Sequence, residues 1–447
     1  MHNAHDLTTG HIPQLIRKLA IPTSIGFFFH TMYNVVDTYF GGLVSTEALA
    51  ALGLSFPVFF IIIAISSGIG TGATALISNA LGAGNKEEAR EFAGQSISFG
   101  IITGIILTVA GLFMSPFLFS LLGASGTYLA TALEYMNVIF YGAPFFIINQ
   151  MLNSSLNAIG DTKSFRNFLV VGFFLNVILD PWFLFGGYGL PAMGFAGIAW
   201  ATVLIQAIGS IYLTIRVVQA GIIGKDWLLR LKPTYAHYKA IAHQGFPASL
   251  NMMTIAIGIF VITYFVGWFG EHAVAAYGIA TRVEQIALLP MIGLNVAALA
   301  IAGQNNGAKK YDRIRETWKT SLKYGIGVIA IGYTLVFIFA SRLMGIFTAD
   351  SEVIAIGTTF LHIAAFISIA YVLTFVTIGV LQGIKKPMFA IFIGVYRQIV
   401  LPLVSFYLLV IVLGFGLIGI WWGIFFTTWS AAIITVLYGR KVLRELG

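Results

Sequence analysis

Long apolar segments dominate this chain and leave few folds open to it. Runs of about 20 or more residues with few charges recur from Ala20 to Val442, and each could cross about 30 Å of hydrocarbon as a helix. Hydrophobic residues make up 58% of the 447 residues and charged residues 9%. Soluble domains carry about 45–50% and about 25% of these. We therefore expect an all-α membrane protein.

The pattern of apolar runs predicts twelve transmembrane helices. They cover residues 14–42, 50–80, 93–119, 128–158, 165–188, 195–218, 240–268, 273–303, 316–341, 354–383, 388–413 and 417–439. The start of the chain is polar and shows no signal-peptide cleavage pattern, so we expect no removed leader. The absence of cysteine excludes disulfide and thiol chemistry.

The second half of the chain repeats the first at an offset of about 225 residues. Pro22 aligns with Pro247, and "STEALAALGLS" (45–55) corresponds to "GEHAVAAYGIA" (270–280). An even number of spans in each half gives parallel repeats, related by a pseudo-two-fold axis along the membrane normal. This predicts an N-terminal six-helix bundle at 1–220, a cytoplasmic linker at 221–239 and a C-terminal six-helix bundle at 240–447.

The distribution of basic residues predicts the orientation. With the N-terminus in the cytoplasm, all 25 Lys and Arg residues fall on the cytoplasmic side except Arg282, Arg342 and Arg397. The positive-inside rule is therefore obeyed, with both termini cytoplasmic and the chain in the cell (inner) membrane. We read the net charge of +8 as a topology signal and expect no nucleic-acid partner.

The chain lacks the phosphate-binding pattern GxxxxGK[ST], so nothing in it would cradle ATP phosphates. If this protein pumps, an ion gradient must drive it. We expect no enzyme activity and no cofactor beyond a coupling ion, H⁺ or Na⁺.

Three acidic residues, Asp37, Asp180 and Glu284, interrupt apolar runs. An ionisable group at that depth costs at least about 2–3 kcal/mol and normally faces an interior cavity. Asp37 aligns with Ile262 in the other half, and Asp180 with about Leu401. The duplicated fold therefore does not itself require the two aspartates.

Four polar side chains are predicted to share one depth in the first bundle. At a rise of about 1.5 Å per residue, Asp37, Asp180 and Thr202 lie at similar heights, and Asn176 shares a helix face with Asp180 at i,i+4. Such an oxygen-rich cluster suits a hard cation such as Na⁺, or two carboxylates that together hold a proton. Alternatively, these residues only tie helices together by buried hydrogen bonds.

A polar stripe on the first span predicts a cavity lining. His30, Asn34 and Asp37 follow i, i+4, i+7 on one helix face. For His30 alone, an interhelical hydrogen bond is the other interpretation. Further polar residues on the fourth span are Tyr135, Asn149, Gln150 and Asn153.

Two further features concern the helices themselves. Pro22 lies below Asp37 on the first span, where it predicts a kink that is either static or a moving hinge. Glu284 and Arg397 lie at compatible depths in the second bundle. We expect them to form a buried structural ion pair, with direct substrate binding as the alternative.

Several motifs resemble those of the multidrug and toxic compound extrusion (MATE) family. "MYNVVDTYFGGLVSTEALAALGLSFPV" (32–58) resembles the family's first-to-second helix signature. "GATALISNALGAGNKEEA" (72–89), "LNAIGDTK" (156–163) and "GFAGIAWAT" (194–202) resemble its other motifs. The likeness covers essentially the whole chain and is closest to the DinF-like branch.

The resemblance implies roles for individual residues. It places a cation or proton site in the N-terminal lobe, matches Pro22 to the branch's first-helix proline, and places Tyr135 and Asn153 near the pocket. The implied coupling residues are Asp37, Asn176, Asp180 and Thr202. The NorM-like branch instead has acids in its seventh and tenth helices, and spans 240–268 and 354–383 contain none.

The resemblance also implies a function: an antiporter that expels organic cations and amphipathic drugs, and so confers antibiotic resistance, powered by entry of H⁺ or Na⁺. We expect it to act as a monomer in the lipid bilayer. One rival is a lipid-linked precursor flippase, which would need a strongly cationic cavity for a pyrophosphate. The sequence places only two arginines, Arg282 and Arg397, where they could line such a cavity, and two are too few for that purpose. The other rival is an intramembrane transferase, for which the outer loops are short and ordinary.

Overall fold

The computed structural model describes residues 6–187, 189–224 and 227–446. Residues 225 and 226 of the predicted linker lie outside the described residues. Within these ranges the chain is almost entirely helical, and its one β-type contact is a bridge between Gly187 and Leu190. The predicted all-α fold is confirmed.

The described residues form thirteen long helices, with a short 3₁₀ turn at Leu229–Leu231 before the seventh. In chain order they are α1 (Ile12–Val44), α2 (Thr46–Gly82), α3 (Lys86–Leu121), α4 (Gly126–Ala158), α5 (Thr162–Phe185), α6 (Phe195–Gln219), α7 (Tyr235–Gly267), α8 (Glu271–Ala287), α9 (Leu289–Gly307), α10 (Tyr311–Gly345), α11 (Ser351–Gly383), α12 (Met388–Val412) and α13 (Gly416–Arg444). Two turns of α12 are π-helical, at Tyr396–Val400 and Tyr407–Val412.

These helices account for the twelve predicted spans. Ten of them are long and apolar enough to cross a membrane, and α8 and α9 form one further span with a bend of 45° between them. Helix α1 has 33 residues and corresponds to the first predicted span. It carries the polar residues His30, Asn34 and Asp37.

The chain divides into two compact units. The first includes Ile25–Ser249, and the second is formed by Leu7–Ser24 and Leu250–Gly447. Helix α1 therefore changes unit just after Pro22, and α7 changes unit just after the matching Pro247. The sequence repeat predicted that the two prolines correspond. It did not predict that the start of each of these two helices belongs to a different unit from the rest of the helix. A moving hinge at Pro22 and the lobe bounds 1–220, 221–239 and 240–447 stay predictions.

Within the first unit, α2 and the start of α7 approach so closely that only glycine fits between them. A Cβ atom added to Gly68 would lie 2.2 Å from the backbone nitrogen and 2.4 Å from the Cα of Ser249. One turn further on, a Cβ on Gly72 would lie 2.6 Å from the nitrogen of Gly245. Small residues allow this kind of close helix packing in membranes.

This contact predicts that Gly68→Ala destabilises the protein, because the added methyl group meets backbone atoms that cannot rotate away. Overpacking of this kind costs about 1–3 kcal/mol. The measurement is the thermal unfolding midpoint of the purified protein in detergent. Gly53→Ala is the matched control, since Gly53 is also inside α2 but has open space at its Cβ position. Equal midpoints for the two variants would contradict the packing described here.

Candidate functional site

One amide joins two buried carboxyl groups in the first unit. The Nδ2 atom of Asn176 on α5 donates to Oδ1 of Asp37 on α1 and to Oδ1 of Asp180 on α5, both at 2.8 Å. Asn176 and Asp180 have no exposed surface, and Asp37 is 8% exposed. The structure thus brings together three of the four residues predicted for the coupling site.

Thr202, the fourth predicted residue, is hydrogen-bonded to a tyrosine of α1. The hydroxyl of Tyr33 donates to Oγ1 of Thr202 at 2.9 Å, and both residues are buried. Tyr33 lies one turn before Asp37 on α1, and the sequence analysis missed it. The signal was available, because residues at i and i+4 share a helix face. Tyr135 is also buried in this unit, stacked on Phe195 with ring centres 5.2 Å apart.

The turn between α5 and α6 holds the end of α5 against the start of α6. A Cβ atom on Gly197 would lie 2.7 Å from the carbonyl of Phe183, so the start of α6 sits directly against the end of α5. The backbone nitrogen of Met193 also donates to Phe183 O at 2.9 Å. Two antiparallel helices joined this tightly keep their residues in register over the next turns.

The cluster carries more acceptor atoms than donors. Among the described residues, Asp180 Oδ2 and Asn176 Oδ1 are buried without a hydrogen-bond partner, and no ion pair joins a basic side chain to Asp37 or Asp180. Two carboxylates sharing one amide in a low-dielectric place repel each other and are costly to ionise together. A bound proton or a small cation would remove that cost.

The orientation of the Asn176 amide bears on which cation fits. Its NH₂ group faces both carboxyl groups, and its oxygen faces away from them. A sodium ion needs oxygen ligands, so Asn176 could be one of them only with its amide turned by half a rotation. In the described residues no group of three or more His, Cys, Asp and Glu side chains could hold another kind of metal ion.

The polar stripe of α1 is less buried than the carboxyl pair. His30 is half-buried and its ring packs edge-on against Phe27, with centres 6.4 Å apart. Asn34 is exposed and its side chain donates to the backbone oxygen of His30 at 3.1 Å. A cavity-lining role for both residues stays a prediction.

The two amides of α4 differ in their surroundings. Asn149 Nδ2 donates to both oxygens of Gln206, at 2.9 and 2.8 Å, and Asn149 Oδ1 accepts from Ser210 at 2.8 Å. This amide therefore ties α4 to α6. Asn153 is buried with no partner among the described residues for its Oδ1. The predicted place of both in a substrate cavity remains a prediction.

The predicted pair of Glu284 and Arg397 is not a contact pair in the structure. Both side chains are buried in the second unit and attract each other electrostatically, but no ion pair joins them within 4.0 Å. The Arg397 guanidinium instead lies over the rings of Tyr371 and Phe375, at 5.3 and 5.5 Å. Arg397 lies in a π-helical turn, which shifts the side-chain positions that a regular helix predicts.

Long apolar helices in two repeated halves, with a buried polar cluster among them, define this chain as a membrane transporter. The MatE family matches residues 22–182 and residues 247–408, which together make up most of the chain. The two matched ranges coincide with the two sequence repeats. The protein belongs to the MatE family and is a transporter, not an enzyme. Its place in the DinF-like branch stays a prediction.

Named relatives and solved structures agree with the family. The chain is 29% identical over 421 residues to the probable multidrug resistance protein NorM of Thermotoga maritima, which covers 91% of this chain and 87% of the relative. It is 29% identical over 412 residues to the FAD transporter of Shewanella oneidensis, covering 90% and 89%. A solved structure described as an outward-facing multidrug resistance MATE family transporter superposes with a TM-score of 0.92 at 27% identity, covering 100% of this chain and 99% of the other.

The bridging amide predicts a measurable coupling between residues. Asn176→Leu removes two hydrogen bonds to carboxyl groups, each worth about 1.5–3 kcal/mol, and should lower the thermal unfolding midpoint by several degrees. Adding Asp37→Asn should recover part of this loss, because one buried carboxyl group disappears. Asn167→Leu is the control, since Asn167 is exposed on the same helix. Additive effects of the two site substitutions would contradict the bridge.

Proposed function

We propose that this protein is a multidrug efflux antiporter that expels organic cations and amphipathic drugs in exchange for H⁺, or Na⁺, entering through Asp37 and Asp180. The observation that carries the proposal is the Asn176 amide, which holds both buried carboxyl groups at 2.8 Å. An unpaired acidic cluster at membrane depth is costly, and function is the usual reason for keeping one.

The coupling follows from the position of Asp37 on α1. Asp37 and Asp180 take up the ion from outside, and the neutralised pair favours an inward-facing state that releases it. The unit boundary within α1 lies just after Pro22. A change in the hydrogen bond from Asn176 to Asp37 would therefore act on a helix that contributes residues to both units. Drug and ion then compete, either by charge or through the shape of α1.

A proton suits the observed amide orientation better than sodium. With its NH₂ group toward the carboxyl oxygens, Asn176 stabilises a pair that carries a single negative charge and one proton. For Asn176 to be a sodium ligand, its amide would need the reverse orientation, with the oxygen toward the carboxyl groups. We therefore favour H⁺ as the coupling ion.

Substrates of the proposed antiporter are organic cations and amphipathic drugs. The names of the Thermotoga maritima relative and of the solved neighbour, both multidrug resistance proteins, support this class. We assign the substrate cavity to the first unit, with the protein a monomer in the inner membrane and both termini in the cytoplasm. The residues proposed to line the cavity are His30, Asn34, Tyr135, Asn149 and Asn153.

A lipid-linked precursor flippase is the alternative function. It would need several buried basic side chains to neutralise a pyrophosphate. Of the two candidates, Arg282 is exposed and only Arg397 is buried. Arg397 is also occupied by the faces of two aromatic rings. These observations favour drug efflux.

The direct test uses purified protein in vesicles loaded with a fluorescent cationic drug. A pH gradient and a sodium gradient are imposed separately. We expect drug movement under the pH gradient alone, and its loss in Asp37→Asn because the neutral amide can no longer bind and release a proton. Glu134→Gln, which removes an exposed carboxylate from α4, should pump normally.

Two outcomes would contradict the proposal in different ways. Transport driven only by sodium would overturn the proton assignment but leave the antiporter. Normal pumping by Asp37→Asn, in protein that folds and inserts like the wild type, would overturn the coupling role of the carboxyl pair. Flipping of a labelled lipid-linked precursor without drug transport would favour the alternative function.

A further inference from the structure

A groove lined by basic residues lies at the C-terminal end of α13. Arg440, Lys441 and Arg444 line it together with Leu437 and Glu445, and its volume is about 320 Å³. Leu437, Arg440, Lys441 and Arg444 are spaced i, i+3, i+4 and i+7, so they share one face of the helix. Three positive charges and one negative charge therefore converge on a single surface groove.

The side chains of Arg440, Lys441 and Arg444 are exposed. Among the described residues none of them makes an ion pair or a hydrogen bond through its side chain. Arg230, in the 3₁₀ turn before α7, is by contrast paired with Glu87 and Glu91. The groove thus offers positive charge that no described residue pairs with.

The same face of α13 is apolar below the groove. Phe426, Ile433 and Leu437 are 55%, 53% and 59% exposed. On a membrane-spanning helix, large exposed apolar side chains face the lipid tails. The basic groove therefore begins where a lipid-facing surface ends, with Leu437 common to both.

The helix end that carries the groove is held in place. Arg315 donates through Nε to the backbone oxygen of Leu443 at 2.9 Å and through Nη2 to that of Leu446 at 2.5 Å. Leu443 is also buried, with 3% of its surface exposed. The last turn of α13 is therefore anchored, and the basic side chains project from a fixed backbone.

We propose that this groove is a binding site for one anionic phospholipid of the inner leaflet. The lipid phosphate lies among Arg440, Lys441 and Arg444, and its acyl chains lie along Ile433 and Leu437. Positive charge complements the headgroup, and the adjoining apolar face selects a lipid over a soluble phosphate. Basic residues beside the cytoplasmic end of a membrane helix are the chemistry that anionic lipids recognise.

The test counts lipids bound to the purified full-length protein by native mass spectrometry, during titration with phosphatidylglycerol or with neutral phosphatidylcholine. The triple variant Arg440→Gln/Lys441→Gln/Arg444→Gln removes the charges of the groove. Its control, Lys319→Gln/Lys385→Gln/Lys386→Gln, removes the same charge from other exposed lysines. All six residues are exposed, so both variants should fold, and gel filtration and the unfolding midpoint check this.

We expect wild type and control to retain one tightly bound phosphatidylglycerol, and the groove variant to bind it more weakly by a factor on the order of 100. Phosphatidylcholine should bind weakly to all three proteins. Equal losses in the groove variant and the control would show general charge attraction and overturn the site. No loss in the groove variant would also overturn it, as would inorganic phosphate binding to the groove as tightly as the lipid.

Discussion

The two hydrogen bonds of the Asn176 amide are the interaction on which the rest of this account depends. Each joins the amide to one buried carboxyl group, at the same distance of 2.8 Å. In water such a cluster would be unremarkable, but in a membrane-spanning bundle it cannot hold two negative charges at once without a large cost. A proton or a small cation bound there would remove that cost, and this is the physical basis of the proposed coupling.

The proposed ion site lies on α1, a helix whose residues belong to both units. Asp37 lies on the part of α1 that belongs to the first unit, whereas residues before Ile25 belong to the second. Pro22 lies at this change of unit, where its missing backbone hydrogen bond leaves the helix easier to bend. The proposed ion site and Pro22 thus lie on the same helix, so the proposed coupling would act through the shape of α1.

Much of this arrangement could be predicted from the sequence. The spacing of residues along a helix is a local signal, and the energetic cost of an acidic side chain in an apolar segment marks it as a candidate site residue. The i,i+4 spacing of Asn176 and Asp180 and the depth of Asp37 were enough to group three residues that the structure joins. Tyr33 obeys the same spacing rule but was overlooked, because a tyrosine in an apolar helix carries no charge to draw attention. The twelve spans followed from length and hydropathy alone.

The surroundings of Arg397 and Asn149 could not be predicted in this way. They depend on side-chain rotamers and on irregular helix turns, and an estimate of a residue's depth in the membrane gives neither. Arg397 lies in the π-helical turn Tyr396–Val400, and its guanidinium lies over aromatic rings with no ion pair to Glu284 within 4.0 Å. Asn149 is held by Gln206 and Ser210, a contact between α4 and α6 that spacing within α4 cannot reveal. The start of α1 belongs to the second unit and the start of α7 to the first, and this division also depends on long-range contacts.

The most direct measurement is the number of protons released when a cationic drug binds to the purified protein. Calorimetric titrations in buffers of different ionisation enthalpy give this number without a membrane gradient. If the carboxyl pair exchanges a proton for the drug, the wild type should release about one proton near neutral pH, and protein with both Asp37 and Asp180 replaced by Asn should release none. Drug binding without proton release by the wild type, or undiminished release by the double variant, would contradict the account.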